Sequence, residues 1–375
     1  MTASTVPIIV NAASQLEIDV DTLDVPLTQQ LASLGVQPND MTSNQFIVAD
    51  ALAVPANQVL LEDVIRASPG ADWLTILDRI SVKLCALNLP NIAGRALLQA
   101  SPSCAHDAEG IVKHALKYDA EFAAQGIGKD RYCIKILTTP AGMIAAKTLE
   151  SQHGIRTLGT GLFSVPQALA AAQAGCLYIS PYYNEILAHF TPPEERLVYS
   201  DPVTQHPMSP RMAHIYQAYR DLSSTGKPAP VIKAASFIAL NEVLAMPALG
   251  AQQTTILAPT LTEMISTPTL AQEGKLYRPS KTYSLPLPEA TLPLLKIDPL
   301  RADGLPQKFA LDVDYLKNGA EELGKAIKQD PETERRIGDA VEVFVKAELQ
   351  AKALIDAAIA KVAAVQSVQA TPVAA

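Results

Sequence analysis

The stretch that decides the fold is Arg131-Tyr132-Cys133-Ile134-Lys135-Ile136-Leu137-Thr138-Thr139. Its apolar, β-favouring residues are typical of a strand that is buried on both faces of a parallel sheet. Lys135 lies in the middle of this predicted strand, where a lysine is rare unless it is paired or functional. Burial disfavours the charged form of an amine, and the neutral amine is the nucleophile that forms Schiff bases. Two interpretations stay open, a catalytic lysine or a lysine whose amine reaches water at the strand end.

On both sides of this strand, short apolar runs alternate with longer helical patterns between about residues 18 and 270. The first predicted strands lie at 18–24, 42–47 and 96–100, and eight strand–helix units can be counted. Alternation of this kind predicts a parallel sheet. No Gly-x-Gly-x-x-Gly turn follows the first strand, which argues against a doubly wound open sheet. We therefore predict an α/β protein, a (β/α)₈ TIM barrel with extra C-terminal helices.

The same pattern gives the expected domain organisation. We expect a single barrel domain over residues 1–375, with its core at about 18–270. Pro- and Leu-rich residues 275–309 predict a surface connection, and residues 310–361 predict C-terminal helices. Residues 362–375 predict a frayed tail.

Composition excludes several classes of protein. The formal net charge of −8 argues against nucleic acid as the main partner. No apolar run approaches the ~20 residues that a membrane-spanning helix needs, and no basic region precedes the first apolar patch as in a secretory signal. Cys85, Cys104, Cys133 and Cys176 lack metal-ligand spacing and are typical of reduced intracellular thiols. We expect a cytoplasmic protein that binds neither nucleic acid nor a membrane.

Four motifs follow one another between Gly126 and Pro181. They are Gly-Ile-Gly-Lys-Asp-Arg-Tyr-Cys-Ile-Lys-Ile-Leu (126–137), Leu-Glu-Ser-Gln-His-Gly-Ile (149–155), Thr-Gly-Leu-Phe-Ser (160–164) and Ile-Ser-Pro (179–181). With these motifs in this order, the sequence resembles the transaldolase family, barrel-type class I aldolases that work through a lysine Schiff base. Fainter likeness covers residues 21–44 and 232–263. The resemblance implies a TIM barrel that makes or breaks a C–C bond.

Five residues match functional positions of that family. The resemblance implies that Lys135 is the Schiff-base lysine and that Asp21 does acid/base work. It also implies that Asn44 contacts a substrate hydroxyl, and that Thr160 and Ser180 line the dihydroxyacetone-derived part of the adduct. Each has a structural alternative, such as a helix cap for a carboxylate or a hydroxyl that bonds a backbone carbonyl.

Five other residues depart from the family. Gln99 stands where the family places a catalytic Glu, and Tyr182 replaces a Phe. These two resemble the fructose-6-phosphate-aldolase-like branch, in which Gln and Tyr place the water. Leu158 replaces a substrate-binding Asn, while Glu185 and Ile238 replace the arginines that grip the substrate phosphate. A carboxylate at such a position repels phosphate, so the departures indicate a non-phosphorylated carbonyl substrate.

The resulting functional hypothesis is a class I aldolase without a cofactor or metal, in which Lys135 is the nucleophile. Its expected partner is a small carbonyl substrate, and a homodimer is the candidate assembly. Lys233, in another predicted strand, is the rival Schiff-base lysine. Arg211, Arg220 or Lys233 are the cations that would restore a phosphate site from other parts of the chain.

Two alternatives belong to other functional classes. The lost catalytic Glu and arginines favour a catalytically inactive barrel that serves as a binding module. Alternatively, Leu158 and Ile238 make the substrate end apolar, which suits a specialised-metabolism enzyme acting on an apolar, isoprenoid-like substrate. Asp19, Asp21 and Asp24 would then hold Mg²⁺, although only the first two share a face of an extended strand.

Overall fold

Eight parallel strands close into a barrel in the order in which they occur along the chain. The computed structural model describes residues 4–272 and 277–370 of the protein. Its strands are β1 Thr5–Pro7, β2 Glu17–Asp21, β3 Met41–Thr42, β4 Ala96–Gln99, β5 Tyr132–Leu137, β6 Thr157–Leu162, β7 Tyr178–Pro181, β8 Val231–Ala234, β9 Gln253–Leu257 and β10 Pro268–Leu270. Strands β2 to β9 form the barrel, and β1 pairs antiparallel with β10. The predicted (β/α)₈ barrel is confirmed.

Helices follow the barrel strands, and two further helices extend the chain beyond the barrel. They are α1 Ile8–Gln15, α2 Val25–Ser33, α3 Gln45–Ala53, α4 Pro55–Arg66, α5 Trp73–Asn88, α6 Ala108–Ala124, α7 Pro140–Thr148, α8 Val165–Ala174, α9 Pro202–Gln205, α10 Ser209–Ser224, α11 Leu240–Ala245, α12 Ala258–Ser266, α13 Lys317–Lys328 and α14 Pro331–Ala370. Short 3₁₀ segments connect some of these elements, at Leu89–Asn91, Pro102–Cys104, Ile186–Phe190, Pro193–Glu195 and Glu289–Lys296. None of the helices within 4–272 and 277–370 combines the length and apolar character of a membrane span.

Side-chain caps fix the loops at one end of the barrel. The side chains of Asp24, Asn44, Asp107 and Thr139 each accept a hydrogen bond from a backbone amide in the first turn of α2, α3, α6 and α7. Such a cap satisfies an amide that would otherwise lack a partner and contributes ~1 kcal/mol. These four helices follow β2 to β5 in turn, so the caps order the C-terminal mouth of the barrel, where TIM-barrel active sites lie.

The interior of the barrel has its own small apolar layer. Leu97, Cys133, Leu158 and Tyr178 pack together there, separately from the large core between the barrel and its helices. The neighbours of Cys133 along β5, such as Ile134, belong to that larger core instead. Because strand residues alternate between the two faces, every second residue of these strands points into the barrel.

Helix α14 crosses the C-terminal mouth of the barrel. Its Ile337 packs against Gly161 at the end of β6, so closely that an added Cβ would lie 3.0 Å from the Ile337 Cδ1 atom. Phe344 of α14 meets Phe46 of α3 in an edge-on contact with the ring centroids 6.1 Å apart. The elements that follow β3 and β6 are thus covered by one long helix.

Several boundaries differ from the sequence-based expectation. The strand predicted at 42–47 is only two residues long, because the Asn44 side chain accepts a hydrogen bond from the Ile47 amide and begins α3. Helix α14 continues to Ala370 rather than ending near residue 361. The predicted surface connection at 275–309 includes the 3₁₀ segment Glu289–Lys296. Its residues 275 and 276, and residues 371–375 of the predicted tail, lie outside the described residues.

Candidate active site

Lys135 lies inside the barrel in β5, and only 2% of its surface is exposed. Its amine donates one hydrogen bond, a long one of 3.4 Å to the Thr42 hydroxyl. No carboxylate of the described residues lies within ion-pair distance of this amine. A buried amine without a close anionic partner is the arrangement that a nucleophilic lysine requires.

Asp21 and Thr42 complete a contact chain with this lysine. Val20 pairs with Met41 in register, so Asp21 and Thr42 stand opposite each other on β2 and β3. Burial raises the pKa of the Asp21 carboxyl, while the nearby Lys135 cation and a hydrogen bond from Thr42 act to lower it. The Thr42 hydroxyl thus accepts a hydrogen bond from the amine and lies beside the Asp21 carboxylate. Thr42 was not among the predicted site residues, because only the register between β2 and β3 indicates its position.

Gln99 is the interior residue of β4 that stands opposite Lys135 in register. Its side chain is 1% exposed, and both its amide nitrogen and its amide oxygen lack a partner among the described residues. The Asp21 Oδ1 atom is likewise buried without a partner. Buried polar groups are nearly always hydrogen-bonded, so these free atoms indicate where a water or substrate group binds.

Tyr182 and Thr160 form a second polar pair in the barrel. The Thr160 hydroxyl, from β6, donates a hydrogen bond of 3.2 Å to the Tyr182 hydroxyl just after β7. The Tyr182 ring also meets Phe163 edge-on, with the ring centroids 5.9 Å apart. Both residues are buried. The contact fixes the Tyr182 hydroxyl, which keeps a proton available for a further hydrogen bond.

Three predicted substrate-binding residues have structural partners. Asn44 uses its side-chain oxygen to cap α3, with the Ile47 amide 3.1 Å away. The Ser180 hydroxyl donates a hydrogen bond of 2.7 Å to the Lys233 carbonyl. Leu158 belongs to the apolar layer inside the barrel. Their substrate contacts stay predictions, and the packing role of each is visible in the structure.

Lys233, the rival lysine, is held in a buried ion cluster. Its amine lies 2.5 Å from Asp19 Oδ2, 2.9 Å from Asp40 Oδ2 and 4.5 Å from the centre of the Tyr178 ring. Burial raises the pKa of Asp19 to about 7, which the Lys233 cation opposes. Burial also opposes the charge on Lys233, yet the two carboxylates raise its pKa above the ordinary value. Lys233 therefore stays a cation, which is not a nucleophile.

The proposed magnesium triad is wrong. Asp19 binds Lys233, and Asp24 accepts a hydrogen bond of 3.0 Å from the Leu27 amide at the start of α2. Only Asp21 of the three carboxylates faces the Lys135 amine. Within the described ranges, no three His, Cys, Asp or Glu side chains gather in a way that could hold a metal ion.

Glu185 and Ile238, which the sequence resemblance predicts at the phosphate-binding positions, line one chamber of about 280 Å³. The chamber lies where the chain leaves β7 and β8. The Glu185 carboxylate is partly neutralised, because its Oε2 atom lies 2.6 Å from Nη1 of Arg335 on α14. Arg336 of the same helix also lines the chamber. No local sequence signal connects these arginines to the barrel, since α14 follows far along the chain.

The cations expected to restore a phosphate site lie elsewhere. Arg211 is buried between Asp298 and Asp330, at 3.0 and 2.9 Å. Lys233 is committed to its two carboxylates inside the barrel. Arg220 stands beside Tyr216 on α10. None of the three lines the chamber, so none of them restores a phosphate site beside Glu185 and Ile238 in this structure.

Comparisons with known proteins identify the family of the chain. The family described as Transaldolase/Fructose-6-phosphate aldolase matches residues 18–292. A transaldolase of Nostoc punctiforme is 31% identical over 66% of this chain and 74% of its own length. A transaldolase of Methylococcus capsulatus is 27% identical over 78% of this chain and 87% of its own. The human transaldolase is 32% identical, over 56% of this chain and 62% of its own.

Solved structures give only a weak similarity. An IMP dehydrogenase/GMP reductase-like protein from Corynebacterium glutamicum aligns with a TM-score of 0.38 and 14% identity. The alignment covers 65% of this chain and 64% of that one. At this level the similarity says nothing about the chemistry of the site.

Proposed function

Because this chain belongs to the transaldolase/fructose-6-phosphate aldolase family, we propose that it is a class I aldolase in which Lys135 forms a Schiff base with a carbonyl substrate. The observation that carries the proposal is the Lys135 amine itself, buried and without an ion-pair partner among the described residues. Gln99 on the neighbouring strand β4 and Asp21 on β2 also carry buried polar atoms without a partner among the described residues. The predicted cytoplasmic location and homodimer stay predictions.

The proposed reaction uses the site residues as follows. The neutral Lys135 amine attacks the carbonyl carbon, and loss of water gives an iminium ion. The Asp21 carboxylate takes the proton of the substrate hydroxyl next to the bond that breaks, and the electrons of that C–C bond flow to the iminium nitrogen. The first aldehyde product leaves, and the enamine is then protonated in cleavage or attacks a second aldehyde in transfer. In both cases water hydrolyses the resulting iminium ion, which releases the carbonyl product and restores the Lys135 amine. Gln99 and Tyr182 would hold the water.

Burial supports the role of Asp21 as a proton carrier. Desolvation raises the pKa of this carboxyl, so a proton taken from the substrate is held more readily than in water. The Lys135 cation lowers that pKa while the amine is charged. Formation of a Schiff base changes the charge beside Asp21, which couples proton transfer to the state of the lysine.

We also infer that the substrate is not phosphorylated. The chamber beside β7 and β8 presents the Glu185 carboxylate and the apolar Ile238 side chain where relatives are expected to grip phosphate. Loss of one partner from a desolvated charge pair typically costs ~2–5 kcal/mol. At ~1.4 kcal/mol per tenfold, sugar phosphates should bind at least ~30-fold more weakly than in a typical transaldolase. A coupled transaldolase assay that shows robust turnover of micromolar fructose 6-phosphate would contradict this inference.

Reductive trapping tests the Schiff base directly. The protein is incubated with dihydroxyacetone and borohydride, and peptide mass mapping then locates the modified lysine. We expect the label on Lys135 and none in Lys135→Met, with Lys346→Gln as a surface control that keeps the label. Label on another lysine, or none with any of a panel of ketones and aldehydes, would refute the proposal. A folded protein without any label would favour the binding-module alternative.

A further inference from the structure

The chamber beside the barrel mouth has an unused cationic group. Arg336, on α14, is only 7% exposed and lines the chamber together with Asn184 and Ile238. Its Nε atom donates a hydrogen bond of 3.0 Å to Glu332. Its two terminal nitrogens have no hydrogen-bond partner in the described part of the chain. A buried guanidinium whose two terminal groups are not used by other residues can bind an anion through both of them.

The rest of the lining fits a ligand with one negative charge. Arg196 lines the chamber and uses part of its guanidinium to bond the Thr191 and His189 carbonyls. Two carboxylates, of Glu185 and Glu195, line it as well. The charges of the lining residues therefore nearly balance before a ligand enters. A planar carboxylate with one negative charge matches one guanidinium fork, whereas a phosphate dianion brings about twice that charge toward the same two glutamates.

Neutral groups surround the free fork. Burial and the Arg336 cation lower the pKa of His206 to about 3, so its ring is uncharged at neutral pH. That ring is fixed, because Nδ1 accepts the Met208 amide and Nε2 contacts Asn184 Oδ1 at 3.2 Å. The Tyr199 side chain also lines the chamber. The side chains of Asn184, Tyr199 and His206 are thus polar and uncharged, and none of the three competes with an anion for the guanidinium.

The chamber is placed to hold the far end of a substrate. Asn184 follows Tyr182 by two residues on the segment that leaves β7, and Tyr182 is a predicted water-holding residue. On the other side, Ile337, next to Arg336, packs on Gly161 at the end of β6. We propose that Arg336 binds a carboxylate on the substrate, remote from the carbonyl that reacts with Lys135. This inference rests on the proposed Schiff-base function and adds an acidic substrate class to it.

Reductive trapping with matched ketones tests the inference. The probes are levulinate and its longer homologues, which carry a ketone and a carboxylate at increasing separation, and their uncharged methyl esters. The readout is the concentration that gives half-maximal labelling of Lys135. Hydrogen bonds to charged groups contribute enough for a ~10- to 100-fold effect. We expect at least one acid to label at a concentration ~10-fold or more below that of its ester.

Substitution of Arg336 assigns the preference to this residue. In Arg336→Gln the acid and its ester should label at similar concentrations, while Arg336→Lys, which keeps the charge but not the fork, should fall between. Lys346→Gln, a surface cation of the same helix paired only with Glu342, should keep the wild-type preference. Thermal unfolding of each variant shows that the comparison is made on folded protein.

Four outcomes would overturn the inference. Equal labelling by acids and esters in the wild-type protein would exclude a carboxylate site, while leaving the Schiff base in place. A preference that persists in Arg336→Gln would place the site elsewhere. Stronger labelling by dihydroxyacetone phosphate than by any of the acids would identify a phosphate site instead. If neither acids nor esters label Lys135 while dihydroxyacetone does, this inference fails and the proposed function stands; if no carbonyl probe labels Lys135, both fail.

Discussion

Lys135 and Lys233 are both buried inside the barrel, and the same substitution should affect them in opposite ways. Lys135→Met is expected to abolish Schiff-base formation and leave the protein stable. Lys233→Met is expected to destabilise the protein strongly. The reason lies in their partners, because Lys135 has one long hydrogen bond to Thr42, whereas Lys233 sits between Asp19 and Asp40.

The magnitudes follow from these contacts. Removal of the Lys233 amine leaves two buried carboxylates without their cation, and loss of one partner of a buried ion pair costs ~3–5 kcal/mol. Removal of the Lys135 amine loses a hydrogen bond of 3.4 Å, for which ~1 kcal/mol is an upper value. Methionine is close to lysine in length and apolar, so neither change leaves a large cavity. The two variants should differ by at least ~2 kcal/mol.

Urea unfolding at pH 7.5 measures this difference. With an m-value on the order of 3 kcal/mol per M, Lys233→Met should lower the unfolding midpoint by about 1 M and Lys135→Met by less than ~0.3 M. Borohydride trapping on the same samples should fail only for Lys135→Met, provided that Lys233→Met is folded under the assay conditions. Equal stability of the two variants would refute the assigned charge cluster. Loss of labelling in folded Lys233→Met alone would make Lys233 the nucleophile.

Thr42→Val should slow the labelling of Lys135 by ~10-fold or more, because it removes the hydroxyl between the Lys135 amine and the Asp21 carboxylate. Thr42→Ser keeps a hydroxyl and should keep the wild-type rate, and the rates of borohydride trapping compare the two variants. Burial raises the pKa of Asp19 to about 7, so the contribution of its protonated form to stability is present below about pH 4 and is lost as the pH rises to about 7. Between about pH 4 and about pH 7, the free energy of unfolding of the wild-type protein should therefore fall relative to that of Asp19→Asn, which urea unfolding at each pH measures. At Gly161, with φ +62°, an added Cβ would meet neighbours at 2.9 and 3.0 Å, whereas Gly154, at φ +61°, has open space; Gly161→Ala should cost ~1–3 kcal/mol more than Gly154→Ala in urea unfolding.

The barrel could be predicted because its signals are local. Residues 132–137 form an apolar strand around one lysine, and the alternation of strands and helices repeats along the chain. Alternation within each strand also predicts that Asp19 and Asp21 share a face, as their partners inside the barrel show. The candidate residues at the carboxyl ends of neighbouring strands then converge without any further information.

Contacts between distant segments could not be predicted in this way. The partner of Asp19 is Lys233, 214 residues away, and without it the three N-terminal carboxylates suggested a metal site. A threonine in a two-residue strand carries no signal that its hydroxyl bridges Lys135 and Asp21. The apolar stripe of α14 predicts a helix, but its position over the barrel mouth depends on residues such as Gly161 and Phe46.

The position of α14 has a consequence for the order of events during synthesis. The last barrel strand ends at Leu257, while the helix that crosses the mouth begins only at Pro331. At ~5–20 residues per second, translation from Leu257 to the end of α14 at Ala370 takes roughly 6–20 s. During that interval all eight barrel strands have been made, while the helix that packs on Gly161 and Phe46 has not. The mouth of the barrel is therefore the last part of the fold to be completed.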